Sequence, residues 1–153
     1  MKKNNISAVL DTNIFISAWF RESEEADKIL SLVANRKMRL QFAQDTIGEL
    51  VYLVKNFARY NISEKSFRVT LLNEVMKLFY YSHSVNTMNT EIARTNDKYD
   101  DMFLKCAIEG SSDYLITDDI KSGMLERSNG SLTVMTSTGF VEEYEKEHGF
   151  IEA

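Results

Sequence analysis

Proline is absent from this 153-residue chain, and cysteine, histidine and glycine are scarce, with one, two and six copies. Without proline, the turns must be carried by Asn, Asp, Ser and Gly. The single cysteine, Cys106, excludes an internal disulfide, and the cytoplasm is the default location for such a chain. One cysteine and two well-separated histidines, His83 and His148, argue strongly against a zinc site with Cys and His ligands.

The chain also lacks long hydrophobic runs and an excess of positive charge. The apolar stretch near its start is broken by Asp11 and Asn13, so neither a signal peptide nor a membrane span is predicted. A net charge of −5 and a pI near 5.1 argue against broad, nonspecific binding of nucleic acid. Nucleic-acid chemistry is not excluded, because a bound metal can neutralise acids gathered in one pocket. Length and composition predict one globular domain spanning residues 1–153.

Strands alternate with helices along the whole chain. Short apolar runs predict strands at 6–10, 38–42, 80–85, 114–117 and 131–135. Helical spacing of apolar residues predicts helices at 13–20, 24–35, 45–57, 63–79, 100–109 and 137–147, the fifth ending at Gly110 as its cap. This alternation predicts an α/β fold of three layers, α/β/α, around a mainly parallel central sheet.

Acidic residues stand at the edges of these predicted elements. Asp11 ends the first apolar run, Asp118 and Asp119 follow the fourth, and Asp100 opens a helix. Because ligands and metals bind at the carboxyl ends of parallel strands, these acids are expected to meet there. Acids gathered in one place repel each other unless a cation holds them together, so the arrangement predicts a magnesium-dependent active site.

The helix that starts at Asp100 separates two neighbouring acids. Phe103, Leu104 and Ala107 lie three, four and seven residues after Asp100, which places Asp100 on the buried stripe and Asp101 at its margin. A carboxylate on that stripe costs free energy unless it is paired or binds metal. The alternative is an N-terminal acid that the helix dipole favours.

The other acids also have structural alternatives. Asp11 can cap the helix that follows it. Asp118 and Asp119 can belong to a turn, and only one of them needs to face a pocket. Glu49 lies away from the apolar side of its helix, so by pattern alone it is a solvated charge.

The chain resembles the PIN domain, the fold of many metal-dependent ribonucleases. The resemblance rests on Asp-Thr-Asn after the first strand, at 11–13, and on the block from Asp97 to Asp119, with its Phe-Leu-x-x-Ala helix and Asp-Tyr-Leu-Ile-Thr strand. Ile47-Gly48-Glu49-Leu50 matches a weaker middle motif. Within the family, the similarity is to the bacterial toxins of toxin–antitoxin pairs, of the VapC type.

The resemblance implies which residues form the site. The family's catalytic, metal-binding acids fall on Asp11, Glu49, Asp100 and Asp119. Its supporting polar residues fall on Asn13 and Thr117, and Asp118 stands beside them. The chain departs from the family pattern in two places: no proline precedes the acidic helix at Asp97-Lys98-Tyr99, and Asp118 replaces a small or basic residue.

Four oxygen-donor acids favour a hard cation such as Mg²⁺ or Mn²⁺. The resemblance further implies an RNA substrate, a cognate antitoxin and dimerisation, with which an aromatic surface around Trp19 is compatible. A binding module without catalysis, holding RNA or a protein, is the main alternative. A receiver-type α/β domain is less favoured, because Asp11 is single and Lys121 follows the late acids in a turn.

Overall fold

The computed structural model describes residues 5–94, 98–119 and 123–153, and these form a parallel sheet covered by helices. The strands are β1 Ile6–Leu10, β2 Met38–Ala43, β3 His83–Val85, β4 Tyr114–Ile116 and β5 Thr133–Met135. The helices are α1 Thr12–Phe20, α2 Glu24–Ala34, α3 Gln44–Asn61, α4 Lys65–Tyr80, α5 Lys98–Glu109 and α6 Ser137–His148, with a short 3₁₀ helix at Met124–Arg127. The predicted three-layer α/β/α fold is confirmed, and the sheet is parallel throughout the described strands.

The order of the strands places the end of β1 at the middle of the sheet. The order is β3-β2-β1-β4-β5, so β1 pairs with β2 on one side and with β4 on the other. In register, Leu10 at the end of β1 lies beside Ile116 at the end of β4. The strand order reverses between β1 and β4, because the chain adds β2 and β3 on one side of β1 and then β4 and β5 on the other. In parallel sheets, ligands bind in the crevice outside the carboxyl ends of the strands at such a point.

Side chains alternate across the sheet into two cores. Ala8 and Leu10 of β1 point into the larger core, which α1, α2, α3, α4 and α6 cover. Val9 points into the smaller core, which α5 covers together with the 3₁₀ helix. Burial on both faces explains why β1 reads as a nearly continuous apolar run rather than an alternating one.

Two element boundaries differ from the predictions. Residues 80–85 were predicted as a strand, but Tyr80 completes α4 and β3 begins only at His83. Gly110 follows α5 as predicted, yet the left-handed backbone belongs to Ser111, with φ of 50°. Glycine at 110 instead permits close approach, since a Cβ there would lie 3.0 Å from the Gln41 side chain, the Val85 side chain and the Cys106 carbonyl.

No helix within the described ranges is long and apolar enough to cross a membrane.

One carboxylate on α6 holds the C-terminal residues against α2. Glu145 accepts a hydrogen bond from the backbone N–H of Ile151 at 2.8 Å and from Nζ of Lys28 at 3.1 Å. The pKa of Glu145 is lowered below its ordinary 4.5, mainly by the Ile151 N–H and further by Lys28. Lys28 and Ile151 are both buried, so this charge stabilises a packed contact rather than a solvated surface.

Glu145→Gln is therefore expected to lower the melting temperature at pH 7. In this variant the melting temperature is also expected to fall less than in wild type as the pH is lowered. A carboxylate with a lowered pKa in the folded state contributes stability that is complete above its unfolded pKa and is lost as pH falls through the folded pKa. Thermal denaturation between about pH 3 and pH 7 measures this loss. Glu142→Gln, at an exposed position of the same helix, is the control. Equal pH profiles for Glu145→Gln and wild type would contradict the prediction.

Candidate active site at the carboxyl ends of β1 and β4

Asp11 lies between β1 and α1, and both of its carboxylate oxygens are held. One oxygen accepts a hydrogen bond from the backbone N–H of Asn13 at 3.3 Å, which caps α1. The other accepts from Oγ1 of Thr117 at 2.8 Å. Only 7% of Asp11 is exposed. The capping alternative is thus correct as geometry, but the cap explains one oxygen only and leaves the second directed to the end of β4.

Thr117 joins the ends of the two central strands. Its side chain is buried, and its hydroxyl donates to Asp11 while accepting from the backbone N–H of Asp119 at 3.1 Å. A hydroxyl can donate one hydrogen bond and accept others, so one threonine fixes both the Asp11 carboxylate and the chain leading to Asp119. The supporting residue predicted at 117 therefore lies in contact with the predicted acids.

Asp118 and Asp119, which the sequence left as alternatives, have different surroundings. The carboxylate of Asp118 accepts from the backbone N–H of Ser137 at 2.8 Å and from the Ser137 hydroxyl at 2.8 Å, so it faces the start of α6. Asp119 is half-buried and influences Asp11 electrostatically more than Asp118 does. Asp118 thus contacts the start of α6, and of the two acids Asp119 has the larger electrostatic influence on Asp11.

The pKa of Asp11 is raised above its ordinary 3.8, and burial is the largest cause. The hydrogen bonds from Thr117 and from the Asn13 backbone oppose this shift, whereas the negative charges of Asp119 and then Asp118 add to it. A buried carboxylate in a negative field costs free energy unless a cation neutralises it. The electrostatics of this position therefore favour a bound positive charge.

Glu49 lies closer to this region than its helical pattern predicted. It is half-buried, and its carboxylate accepts from the hydroxyl of Thr12 at 2.9 Å. The expectation of a solvated charge from pattern alone was wrong, because periodicity within α3 does not register the neighbouring α1 that packs against it. Thr12 follows Asp11 directly, so this hydrogen bond holds the Glu49 carboxylate against the residue next to Asp11.

Asp100 and Asp101 are both buried at the start of α5, but they belong to different surroundings. Asp100 is 5% exposed and shares its stripe with the buried Phe103 and Leu104. Asp101 lines a separate cavity of about 610 Å³ together with Asp45, Arg94 and Lys105. Asp97, which also precedes α5, lies outside the described residues, as does Lys121.

One predicted contact differs from the sequence expectation, and two contacts were not predicted. The side chain of Asn13 is exposed, and it is the backbone N–H of that residue that contacts Asp11. Thr12 and Ser137 were not predicted as site residues, although the first orients Glu49 and the second holds Asp118. The Asp-Thr-Asn motif contained the signal for Thr12, whereas Ser137 carries no signal in the sequence, because only the pairing of β4 with β5 brings it near.

The four predicted acids do not form a closed cage in this structure. Within the described ranges, no three Asp, Glu, His or Cys side chains lie close enough together to hold a metal ion. The donors offered are carboxylate and hydroxyl oxygens, which suit Mg²⁺ or Mn²⁺ in chemical type. Cys106 does not add a nucleophile, because burial raises its pKa to about 12 and the thiolate is the reactive form.

Three comparisons relate this chain to known proteins. The sequence model of the PIN domain matches residues 7–121. The chain is 28% identical over 158 residues to the uncharacterized protein MJ1680 of Methanocaldococcus jannaschii, covering 95% of this chain and 96% of that one. It also shares a fold with a chain of VapBC2 from Rickettsia felis, solved bound to a DNA fragment from their promoter. That similarity has a TM-score of 0.54 and 16% identity, over 86% of this chain and 98% of the other.

Proposed function

This chain belongs to the PIN domain family, and we propose that it is an endoribonuclease that hydrolyses RNA with a bound Mg²⁺ or Mn²⁺ ion. The observation that carries the proposal is the buried Asp11, hydrogen-bonded to Thr117 and lying in the negative field of Asp119. This carboxylate lies where the strand order reverses between β1 and β4, the place where parallel sheets bind ligands. An acid in that position is costly in isolation and useful beside a cation.

Asp11, Glu49, Asp100 and Asp119 would hold the ion. Two carboxylates about 4 Å apart repel by roughly 4 kcal/mol at an effective dielectric near 20, so their convergence requires a cation or uptake of protons. A bound divalent ion stabilises the charge that develops on a phosphodiester and makes a water easier to deprotonate. The oxygen-only donor set supports Mg²⁺ or Mn²⁺ rather than zinc.

The chain's own residues prepare these acids for binding. Thr117 fixes one oxygen of Asp11, the Asn13 N–H fixes the other, and Thr12 fixes an oxygen of Glu49. Ordered partners behind a ligand reduce the reorganisation that binding requires, and losing one typically weakens metal affinity or activity by about 10- to 100-fold. In this proposal Asn13, Thr117 and Asp118 are positioning residues that do not touch the substrate.

The proposal includes a role as the toxin of a toxin–antitoxin pair, acting in the cytoplasm. This part rests on the motif resemblance to VapC-type toxins and on the fold shared with the VapBC2 chain. A cognate antitoxin would then cover the acidic edge and block access of RNA. Co-expression with the product of a neighbouring small reading frame, followed by purification of the complex and a cleavage assay, would test both the partner and the inhibition. A homodimer is part of the same expectation.

A cleavage assay on wild type, Asp100→Asn and Asp101→Asn tests the activity directly. Wild type is expected to cut RNA with Mg²⁺ or Mn²⁺ and to stop when EDTA removes the ion. We expect Asp100→Asn to lower the rate at least about tenfold, because it removes a buried ligand charge. Asp101→Asn, which changes the same charge one residue away, is expected to retain most of the activity.

The opposite results would favour a binding module without catalysis. Such a module would cut no RNA in either metal and would show no saturable uptake of Mn²⁺ in a calorimetric titration. Equal losses in the two variants would instead indicate that α5 contributes charge or fold rather than one specific ligand.

A further inference from the structure

A second polar pocket lies at the amino ends of the strands, whereas Asp11 and Asp119 lie at their carboxyl ends. It has a volume of about 250 Å³ and opens beside the amino ends of β1 and β2. Arg36, Arg39 and Tyr81 supply its polar side, and Val33, Leu78 and Leu40 supply apolar wall. No carboxylate is among its lining residues, although the chain as a whole carries a net charge of −5.

Arg36 and Tyr81 form one wall of this pocket. The guanidinium of Arg36 lies over the Tyr81 ring, 4.3 Å from its centroid. Tyr81 nevertheless remains 62% exposed, so much of its ring is available to a ligand. A cation stacked on an aromatic ring gives a planar, positively charged surface, which suits a nucleobase and its phosphate.

Arg36 occupies a backbone position that normally favours glycine. It follows the end of α2 with φ of 59°, where its N–H bonds the carbonyl of Val33 and the Lys37 N–H bonds that of Leu32. A left-handed residue after a helix is usually Gly, because a side chain there costs free energy. The side chain of Arg36 therefore makes its own backbone conformation less favourable, so turn geometry does not explain why an arginine stands there.

The charges at this edge are available for an anion. Arg36, Lys37 and Arg39 are all exposed and lie within four residues of each other. Across the described parts of the chain, neither arginine forms an ion pair with a carboxylate. Guanidinium groups bind phosphate through paired N–H donors, and bases stack on exposed aromatic rings.

We propose that this pocket binds single-stranded RNA, with Arg36 and Arg39 contacting phosphates and a base stacking on Tyr81. The inference rests on the proposed ribonuclease function and adds to it a substrate contact remote from the acids. The five residues of β1 separate the two edges by roughly 17 Å, so one strand of RNA must span several nucleotides to reach both. The exposed ring and apolar wall favour RNA over an acidic peptide, which needs the cations alone.

Binding of a fluorescent 12-nucleotide single-stranded RNA in EDTA, measured by anisotropy over a range of salt, tests this pocket without cleavage. Tyr81→Ala is expected to weaken binding about fivefold or more through lost stacking, with the salt dependence unchanged and Tyr81→Phe retaining affinity. Arg39→Gln is expected to weaken binding and to reduce the slope of log K against log salt by about 0.7 for one lost phosphate contact. Arg36→Gly, which suits the backbone, should also weaken binding. Arg59→Gln, an equal charge change at an exposed position of α3, is the control.

Unchanged affinity in Arg39→Gln and Tyr81→Ala, equal losses in Arg59→Gln, or no binding by wild type would each overturn the proposal. Displacement of the RNA by poly-glutamate at lower concentration than by unlabelled RNA would assign the pocket to an acidic protein partner instead. The two proposals fail separately. Loss of the ribonuclease function appears as absent cleavage in Mg²⁺ with binding intact, whereas loss of this one appears as cleavage with binding indifferent to Arg39 and Tyr81.

Discussion

Asp11→Asn is expected to lower RNA cleavage by at least about a hundredfold while leaving the folded protein as stable as wild type. The variant removes the negative charge that would hold the cation. It keeps the shape of the side chain, and Asn is as good a helix N-cap as Asp, so the bond from the Asn13 N–H survives. With its oxygen turned to Asn13, the amide presents its NH₂ group to Thr117, whose hydroxyl oxygen can accept a hydrogen bond from it.

Stability in EDTA is the measurement that separates a lost ligand from a lost cap. Asp11 is buried in the field of Asp119 and Asp118, so neutralising it removes repulsion and desolvation cost. Asp11→Ala is the matched control, because it removes charge and cap together and is expected to cost about 1 kcal/mol. Asp11→Asn with full cleavage would refute the role of Asp11. Asp11→Asn unfolded at the temperature of the assay would show that the charge serves the fold.

The double use of Asp11 explains why sequence alone could not decide between its two interpretations. An N-cap and a metal ligand at the end of a strand require the same residue type at the same place. The structure shows that the cap uses one carboxylate oxygen, bonded to the Asn13 N–H, while the other contacts Thr117 and stays outside the cap. Competing interpretations of one residue are therefore not always exclusive when its side chain has two acceptor atoms.

The fold was predictable because strand burial leaves a direct trace in residue type. The apolar run at Ile6–Leu10 requires cover on both faces, and the alternation with helices requires crossovers, which together fix a parallel three-layer domain. The 3₁₀ helix at Met124–Arg127 was not predicted, because four residues are too few to show a period. The end of α4 was missed because Tyr80 is exposed in its last turn and suits a strand equally well by composition.

The acids were predictable to different degrees because they depend on different ranges of contact. The burial of Asp100 follows from a stripe within one helix, and the position of Asp11 follows from the end of one strand. The orientation of Glu49 depends on Thr12 of another helix, and that of Asp118 depends on Ser137 beyond another strand. Periodicity contains only contacts within one element, so it cannot report these two.

Asp119→Ala and Asp118→Ala are expected to separate activity from stability. Asp119 lies beside Asp11 and is a proposed ligand, so its loss should reduce cleavage by about a hundredfold and leave the melting temperature nearly unchanged. Asp118 accepts two hydrogen bonds from Ser137 at the start of α6, where a negative charge also interacts favourably with the helix dipole. Its loss should cost about 1 kcal/mol of stability and reduce cleavage by about tenfold, the low end of the range for a positioning residue.

Both variants are measured by denaturant unfolding in EDTA and by initial cleavage rates in Mn²⁺. We expect Asp119→Ala to have the larger loss of cleavage rate and Asp118→Ala the larger loss of stability. Ser137→Ala provides an independent control, because it removes one donor to Asp118 without touching either acid and should weaken stability alone. If Asp118→Ala abolishes cleavage while Asp119→Ala does not, the assignment within the pair is reversed and the ligand is the acid that contacts α6. If both lose cleavage equally, the two carboxylates act together, and Ser137 then holds a ligand in position rather than a helix in place.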